Sequence, residues 1–184
     1  MATVLETERL LLRPLESTDL PALKVLHAEP SFWWYPLGRG QTEEETEAFL
    51  GRVFEDYGSG DLGLEAVVDR RTGELAGWAG LSTPSFLPEI LPAVEVGWRL
   101  GSMWRGRGYA TEAGAAWVRW GFEILELERM VSIYEAANRS SGRVMEKLGF
   151  TLDRIATVPA NEVEVHVTAL SREYWSHLGG EADW

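Results

Sequence analysis

The sequence predicts a single α/β (α+β) domain over residues 1–184, a mixed sheet of about seven strands flanked by about four helices. Three observations lead to that class. Period-2 and period-3.6 stretches alternate along the chain as strand, two helices, three strands, helix, strand, helix and two strands. The chain has 184 residues and is 45% hydrophobic, enough for a sizeable core in one domain. The stretch Trp98 to Leu125 reads as a strand end, a glycine-rich turn and a helix, and the rest of the chain is organised around it.

Glu8 to Pro14 alternates arginine with leucine and reads as the first strand. Ser17, Thr18 and Asp19 offer N-caps to a helix carrying Leu20, Leu23, Leu26 and His27. Ser31 to Gly40 is aromatic, is broken by Pro36, Gly38 and Gly40, and reads as a loop. Thr42 and Glu45 form a capping box for a second helix reaching about Tyr57, ended by Gly58 and Gly60. Leu62 to Asp69 and Leu75 to Leu81 are strands joined by R-R-T-G.

A proline-rich loop, Ser82 to Pro92, leads to the strand Ala93 to Leu100, where Gly97 marks a bulge or a close backbone approach. In the helix after the glycine turn, Ala113, Trp117, Trp120 and Ile124 form a core-facing stripe. Arg129 to Ala136 is the next strand. Asn138 opens a short helix with Val144, Met145 and Leu148 on its apolar side and Gly149 at its end. Phe150 to Thr157 and Val163 to Leu170 are the last strands.

Composition removes several classes of function. Without cysteine there is no disulfide, no thiolate metal site and no cysteine nucleophile. His27, His166 and His177 lack metal-ligand spacing, so no metal is expected. The N-terminus does not read as a signal peptide and no apolar run approaches a membrane span, so a soluble cytoplasmic protein with no membrane partner is expected. A formal charge of −12 argues against nucleic-acid binding and suits a cationic partner, or simply solubility.

Arg105 to Ala110, R-G-R-G-Y-A, lies between that strand and helix. Backbone N–H groups in such a turn, with a helix N-terminus behind them, form an anion site; a plain glycine turn is the competing reading. The P-loop pattern fails because Lys and Ser/Thr are missing after Gly101 to Arg107. The dinucleotide fingerprint fails at Thr111.

Arg105-x-x-Gly108-x-Ala110 resembles the pyrophosphate loop of the Gcn5-related N-acetyltransferase (GNAT) superfamily. Three further stretches follow that family's order: E-T-E-R-L-L-L-R-P-L at the N-terminus, V-E-V-G-W-R-L before the loop, and N-R-S-S-G-R-V-M-E-K-L-G-F after it. The first is typical of the subgroup containing the ribosomal-protein N-terminal acetyltransferases (RimJ/RimL-like), and V-T-A-L-S-R-E-Y-W looks like that subgroup's final strand.

The resemblance implies a splayed sheet and an acetyl-CoA-dependent N-acetyltransferase with acetyl-CoA as cosubstrate and no metal. It implies that the backbone of Trp98, Arg99 and Leu100 pairs with the pantetheine arm. It implies that the amides of Arg105, Gly106, Arg107, Gly108, Tyr109 and Ala110 hold the pyrophosphate, with charge added by Arg105 and Arg107. Asn138, otherwise a helix cap, would contact the CoA arm, and Ser141 would lie near the thioester sulfur. Many family members carry a tyrosine as general acid where this chain has Met145, which cannot donate a proton. That leaves Ser141 to hydrogen-bond the leaving thiolate, with Tyr134 as a fallback that otherwise reads as a core or sheet residue.

Glu95 is either a general base, direct or through a water, or an outward polar residue of its strand. Phe32, Trp33, Trp34 and Tyr35 form either a plug over the core or, through Trp33 and Trp34 and with Glu95 nearby, a pocket for a cationic amine. Direct transfer to a protein N-terminal α-amine is the expected reaction. Small-molecule amines (polyamines, amino acids, antibiotics) and a non-catalytic acyl-CoA-binding module stay open as alternatives. The resembling subgroup also makes a homodimer an expected possibility.

Overall fold

The computed structural model describes residues 3–59 and 62–179. These contain eight strands and six α-helical segments, and the mixed α/β class holds. The chain divides into two compact units, Met1–Gly80 with Trp98–Ala113, and Leu81–Gly97 with Gly114–Trp184.

In the first unit β1 (Leu5–Glu6), β2 (Leu10–Pro14), β3 (Leu64–Asp69) and β4 (Leu75–Ser82) follow one another side by side. The pairings β1–β2, β2–β3 and β3–β4 are antiparallel. The β3–β4 turn closes on Asp69, whose Oδ1 accepts from the amides of Arg71 at 3.0 Å and Thr72 at 2.8 Å. Gly73, at φ +73°, takes the left-handed place that R-R-T-G foretells. The close backbone approach expected at Gly97 occurs instead at Gly77, where a Cβ would stand 2.0 Å from Arg99 O; at Gly97 a Cβ would meet nothing within 4 Å.

Helix α1 (Leu20–Ala28) follows a 3-10 turn at Ser17–Asp19. Asp19 does not cap α1 with its side chain. Its carboxylate accepts instead from Glu16 N at 2.9 Å and from both Nη atoms of Arg13 at 2.7 Å. The expected loop after α1 contains a single helical turn, α2 (Trp34–Leu37), ended by Gly38. Helix α3 (Glu43–Ser59) starts on the expected capping box, with Thr42 N donating to Glu45 Oε2 at 2.8 Å and Glu45 N to Thr42 Oγ1 at 3.2 Å. Gly58 lies inside this helix, and Gly60 lies outside the described residues. The core here joins Leu23 and Leu26 of α1, Phe49 and Val53 of α3, and Ala66 and Trp78 of the sheet.

In the second unit the strand order is β5 (Glu95–Leu100), β6 (Arg129–Tyr134), β8 (Glu164–Ser171), β7 (Thr151–Thr157). Its part of β5 runs parallel to β6, while β6–β8 and β7–β8 are antiparallel. Helix α4 (Tyr109–Glu123) begins in the first unit and continues into the second. Ala113, Trp117 and Trp120 are buried as the stripe requires; Ile124 is 60% exposed because the helix has already ended at Glu123. Helix α5 (Arg139–Lys147) buries Met145, with Leu148 buried just past its end. Helix α6 (Arg172–His177) follows β8. No helix among the described residues is long and apolar enough to cross a membrane.

Candidate active site

The glycine turn and the start of α4 belong to the first unit. Gly101 N donates to Ala76 O at 2.9 Å, and Ser102–Trp104 makes one 3-10 turn. Gly106 and Gly108 both take left-handed conformations, φ +72° and +83°. Glu112 N donates to Gly108 O at 2.9 Å, so the amides of Tyr109, Ala110 and Thr111 precede that bond and point out of the helix end. Left-handed residues feeding a helix N-terminus aim successive N–H groups at one concavity, which suits an anion.

Arg105 makes hydrogen bonds within the chain. Its amide lies 3.4 Å from Ser102 O, its Nε donates to Leu100 O at 2.9 Å and its Nη2 to Ser31 O at 2.8 Å. The guanidinium therefore braces the turn from within. Arg107 instead lays its guanidinium 5.5 Å from the Trp104 ring centroid and is exposed.

The underside of the turn is built by residues far away in sequence. Glu112, 6% exposed, accepts at Oε1 from Thr7 Oγ1 (2.6 Å) and Arg9 N (2.8 Å), and at Oε2 from Arg9 Nε (2.6 Å). Arg9 Nη1 donates to Arg107 O at 2.7 Å, and its guanidinium lies over the Tyr109 ring. Tyr109 in turn donates its hydroxyl to Asp69 Oδ2. That bond holds the Asp69 carboxyl below, and the Tyr109 phenol above, their ordinary pKa values. Gly108 suits this place because its φ is positive, and a Cβ there would press on Arg9 Nη2 at 3.2 Å.

The aromatic segment is tied to the end of β5. Arg99 Nη1 donates to Phe32 O at 2.6 Å and Tyr35 O at 2.7 Å, and its guanidinium lies 4.2 Å from the Trp33 ring centroid. The cation lying over Trp33 is the chain's own Arg99. Phe32 is buried and packs on His27, so this half of the segment is a plug. Trp34 is 54% exposed. His27 is fully buried, with Nδ1 2.9 Å from Gln41 Oε1, and burial pushes its pKa down to about 4.

The second unit holds Glu95, Asn138 and Ser141. Glu95 stands opposite Val131 at the start of the β5–β6 pairing, and Val131 N donates to Val94 O at 2.9 Å. In a regular parallel ladder the amide of Ile133 would reach Val96 O. Here the buried Ser132 hydroxyl takes that oxygen at 2.8 Å, and Ser132 O accepts from Thr168 Oγ1 at 2.8 Å. Asn138 caps α5: its Oδ1 accepts from Ser140 Oγ at 2.7 Å and Ser141 N at 3.3 Å. The capping reading of Asn138 is what the geometry contains. Met145 is buried against Thr168 Oγ1 and offers no proton.

Sequence comparison places these elements in one family. The acetyltransferase (GNAT) domain family matches residues 9–151, most of the chain. The chain belongs to the GNAT acetyltransferase family. As a GNAT protein it is an acetyltransferase, and acetyl-CoA is that family's acetyl donor. It is similar to the Escherichia coli [ribosomal protein uS5]-alanine N-acetyltransferase, with 26% identity over 79% of this chain and 77% of that one. Among solved structures, an Agrobacterium tumefaciens acetyltransferase shares 32% identity over 91% of this chain and 94% of that one, with a TM-score of 0.76. The fold also matches RimL, a ribosomal L7/L12 α-N-protein acetyltransferase in complex with coenzyme A. That match has 17% identity, covers 94% of this chain and 99% of that one, and has a TM-score of 0.75.

For this GNAT chain, the reading from sequence misses Glu112 and its partners Thr7 and Arg9. The signal was present: Glu112 is a lone carboxylate among the small residues A-T-E-A-G-A-A. What joins it to Thr7 is a separation of 105 residues, which no local pattern carries.

Proposed function

We propose that this acetyltransferase moves the acetyl group of acetyl-CoA to the α-amine at a protein N-terminus. The observation that carries the CoA part is the left-handed Gly106–Gly108 turn opening α4, with helix-end amides beyond it. An anion fits that cradle because Gly106 leaves open space where a Cβ would stand. Gly106, Arg107, Gly108, Tyr109 and Ala110 would hold the pyrophosphate, and the backbone of Trp98 to Leu100 the pantetheine arm. Arg105 contributes by bracing the turn.

In the reaction Glu95, directly or through a water, takes the proton of the incoming ammonium so that a neutral amine attacks. An ordinary α-amine has a pKa of about 7.7–8.0, within reach of a weak base near neutral pH. Backbone N–H groups of β5 polarise the acetyl carbonyl. Ser141 hydrogen-bonds the departing sulfur and Asn138 fixes the turn that carries it. Exposed Trp34 borders the acceptor. The protein acceptor is favoured by similarity to the uS5-alanine N-acetyltransferase, and the charge of −12 suits a basic polypeptide.

Thiol release from acetyl-CoA with a panel of amines tests this reading. Peptides with a free α-amine should support release, and the same peptides blocked at the N-terminus should not. Faster release with polyamines would favour a small-molecule acceptor. Tight CoA binding without release for any amine would favour a binding module.

A further inference from the structure

Tyr134 closes β6 and pairs in register with His166 of β8. Its hydroxyl lies 3.2 Å from His166 Nδ1, and the two rings meet edge to face at 5.2 Å and 76°. Both side chains are half-buried, so neither is sealed in the core. The first turn of α5 lies directly against the phenol. A Cβ on Gly142 would stand 3.0 Å from Tyr134 Cε2 and 3.3 Å from its Oη, so the helix approaches this close because residue 142 has no side chain. Gly142 adjoins Ser141, the residue proposed to meet the sulfur.

Position 145 is one turn further along α5. Helical side chains lean towards the N-terminus, so a side chain there leans back towards the turn of Ser141 and Gly142. Met145 brings no hydroxyl to that turn; its sulfur is buried against Thr168. The phenol at Gly142 comes from β6 instead. Phenols are nearer to thiols in acidity than alcohols are, with ordinary values of about 10 and 8.5 for tyrosine and cysteine, so a phenol is the better proton source for a leaving thiolate.

We propose that Tyr134 is a catalytic residue, the proton donor to the leaving CoA sulfur, and that His166 holds it in that role. This rests on the acetyltransferase reading above. The neutral amine forms the new C–N bond at the acetyl carbon, and the C–S bond breaks with its electron pair on sulfur. The Tyr134 proton passes to sulfur, giving the free thiol. The surplus proton on nitrogen goes to water, Glu95 having already taken the proton of the ammonium. With its proton on Nδ1, His166 donates to Tyr134 Oη, stabilises the phenolate, and relays a solvent proton back to it. Ser141 keeps its hydrogen bond to the sulfur, but it is not the source of the proton.

The test is steady-state kinetics of Tyr134→Phe beside CoA affinity. The ring stays against Gly142, so the fold and the CoA slot persist. The expected result is a fall in kcat of about 100-fold, with the KM for acetyl-CoA and the Kd of CoA changed less than about twofold. His166→Gln, which keeps a polar partner but not the imidazole, should fall in kcat by about tenfold with CoA affinity kept. Tyr134→Phe at the wild-type rate, or with kcat and CoA affinity falling together, overturns the assignment while leaving the acetyltransferase reading intact. Absence of thiol release by the wild-type protein with every amine overturns that reading and this assignment with it.

Discussion

Arg9 and Glu112 hold the base of the glycine turn. Arg9 Nε and Nη2 both reach Glu112 Oε2 at 2.6 Å, while Arg9 N donates to Oε1 at 2.8 Å. The same arginine donates to Arg107 O, inside the turn. The N-terminal E-T-E-R is therefore part of the candidate CoA cradle: Thr7 and Arg9 fix the carboxylate that fixes the first turn of α4.

Glu112→Ala should destabilise the protein by about 2–3 kcal/mol, because it strands the Arg9 amide, the Thr7 hydroxyl and a charged guanidinium. Arg9 is 41% exposed, so water relieves part of that cost. Urea unfolding measures the loss, and CoA titration should show weaker binding in the variant that remains folded. An unchanged midpoint would remove the clamp from the account.

Substitution at Gly108 acts on the loop itself. Gly108→Val puts a β-branched side chain at φ +83° and its Cβ 3.2 Å from Arg9 Nη2. The free loop relaxes away from that conformation, and the about 1–2 kcal/mol needed to restore it on binding corresponds to about tenfold weaker CoA binding, read by calorimetry. Binding at wild-type strength would refute the loop assignment.

Arg99→Lys keeps the charge and loses the planar guanidinium that lies on Trp33 while its Nη1 donates to both carbonyls. The expected cost is about 1–2 kcal/mol, accompanied by a red shift of tryptophan emission as the 32–35 segment loosens. Thermal melts and fluorescence check both; no change in either would mean the segment is held by its apolar packing alone.

Acid should weaken the fold through His27. Its folded pKa, about 4, lies below the ordinary histidine value of 6.5, so the unfolded chain binds the proton first as pH falls. This contribution, about 3 kcal/mol, is complete above about pH 6.5 and is lost as pH falls from about 6.5 to 4. Urea midpoints across this range should fall with pH, and His27→Phe should flatten the slope. A wild-type profile that is flat from pH 7 to about 4 would show that His27 is not held neutral.

Much of this was legible in the chain. The capping box Thr42–Glu45, the glycine-turn entry to α4 and the Asn138 cap all rest on contacts a few residues long, which sequence patterns report directly. What the sequence did not carry was non-local. Arg105 reads as a phosphate ligand; its Nε and Nη2 donate to the carbonyls of Leu100 and Ser31, contacts that no local pattern carries. Trp33 reads as a plug or a pocket wall, and the Arg99 that lies over it is remote in sequence. Tyr134 reads as a sheet residue, with a fallback role at the thiolate, and it does close β6; its contacts with Gly142 and His166 are set by tertiary packing.

The central claim is best tested by locating the acetyl group on a product. A basic peptide with one free α-amine and one lysine is incubated with the protein and acetyl-CoA, then sequenced by tandem mass spectrometry. The account predicts acetylation at the α-amine, dependent on Glu95 and reduced by Tyr134→Phe. Acetyl found only on the lysine, or on neither amine while a polyamine in the same mixture is acetylated, would contradict it.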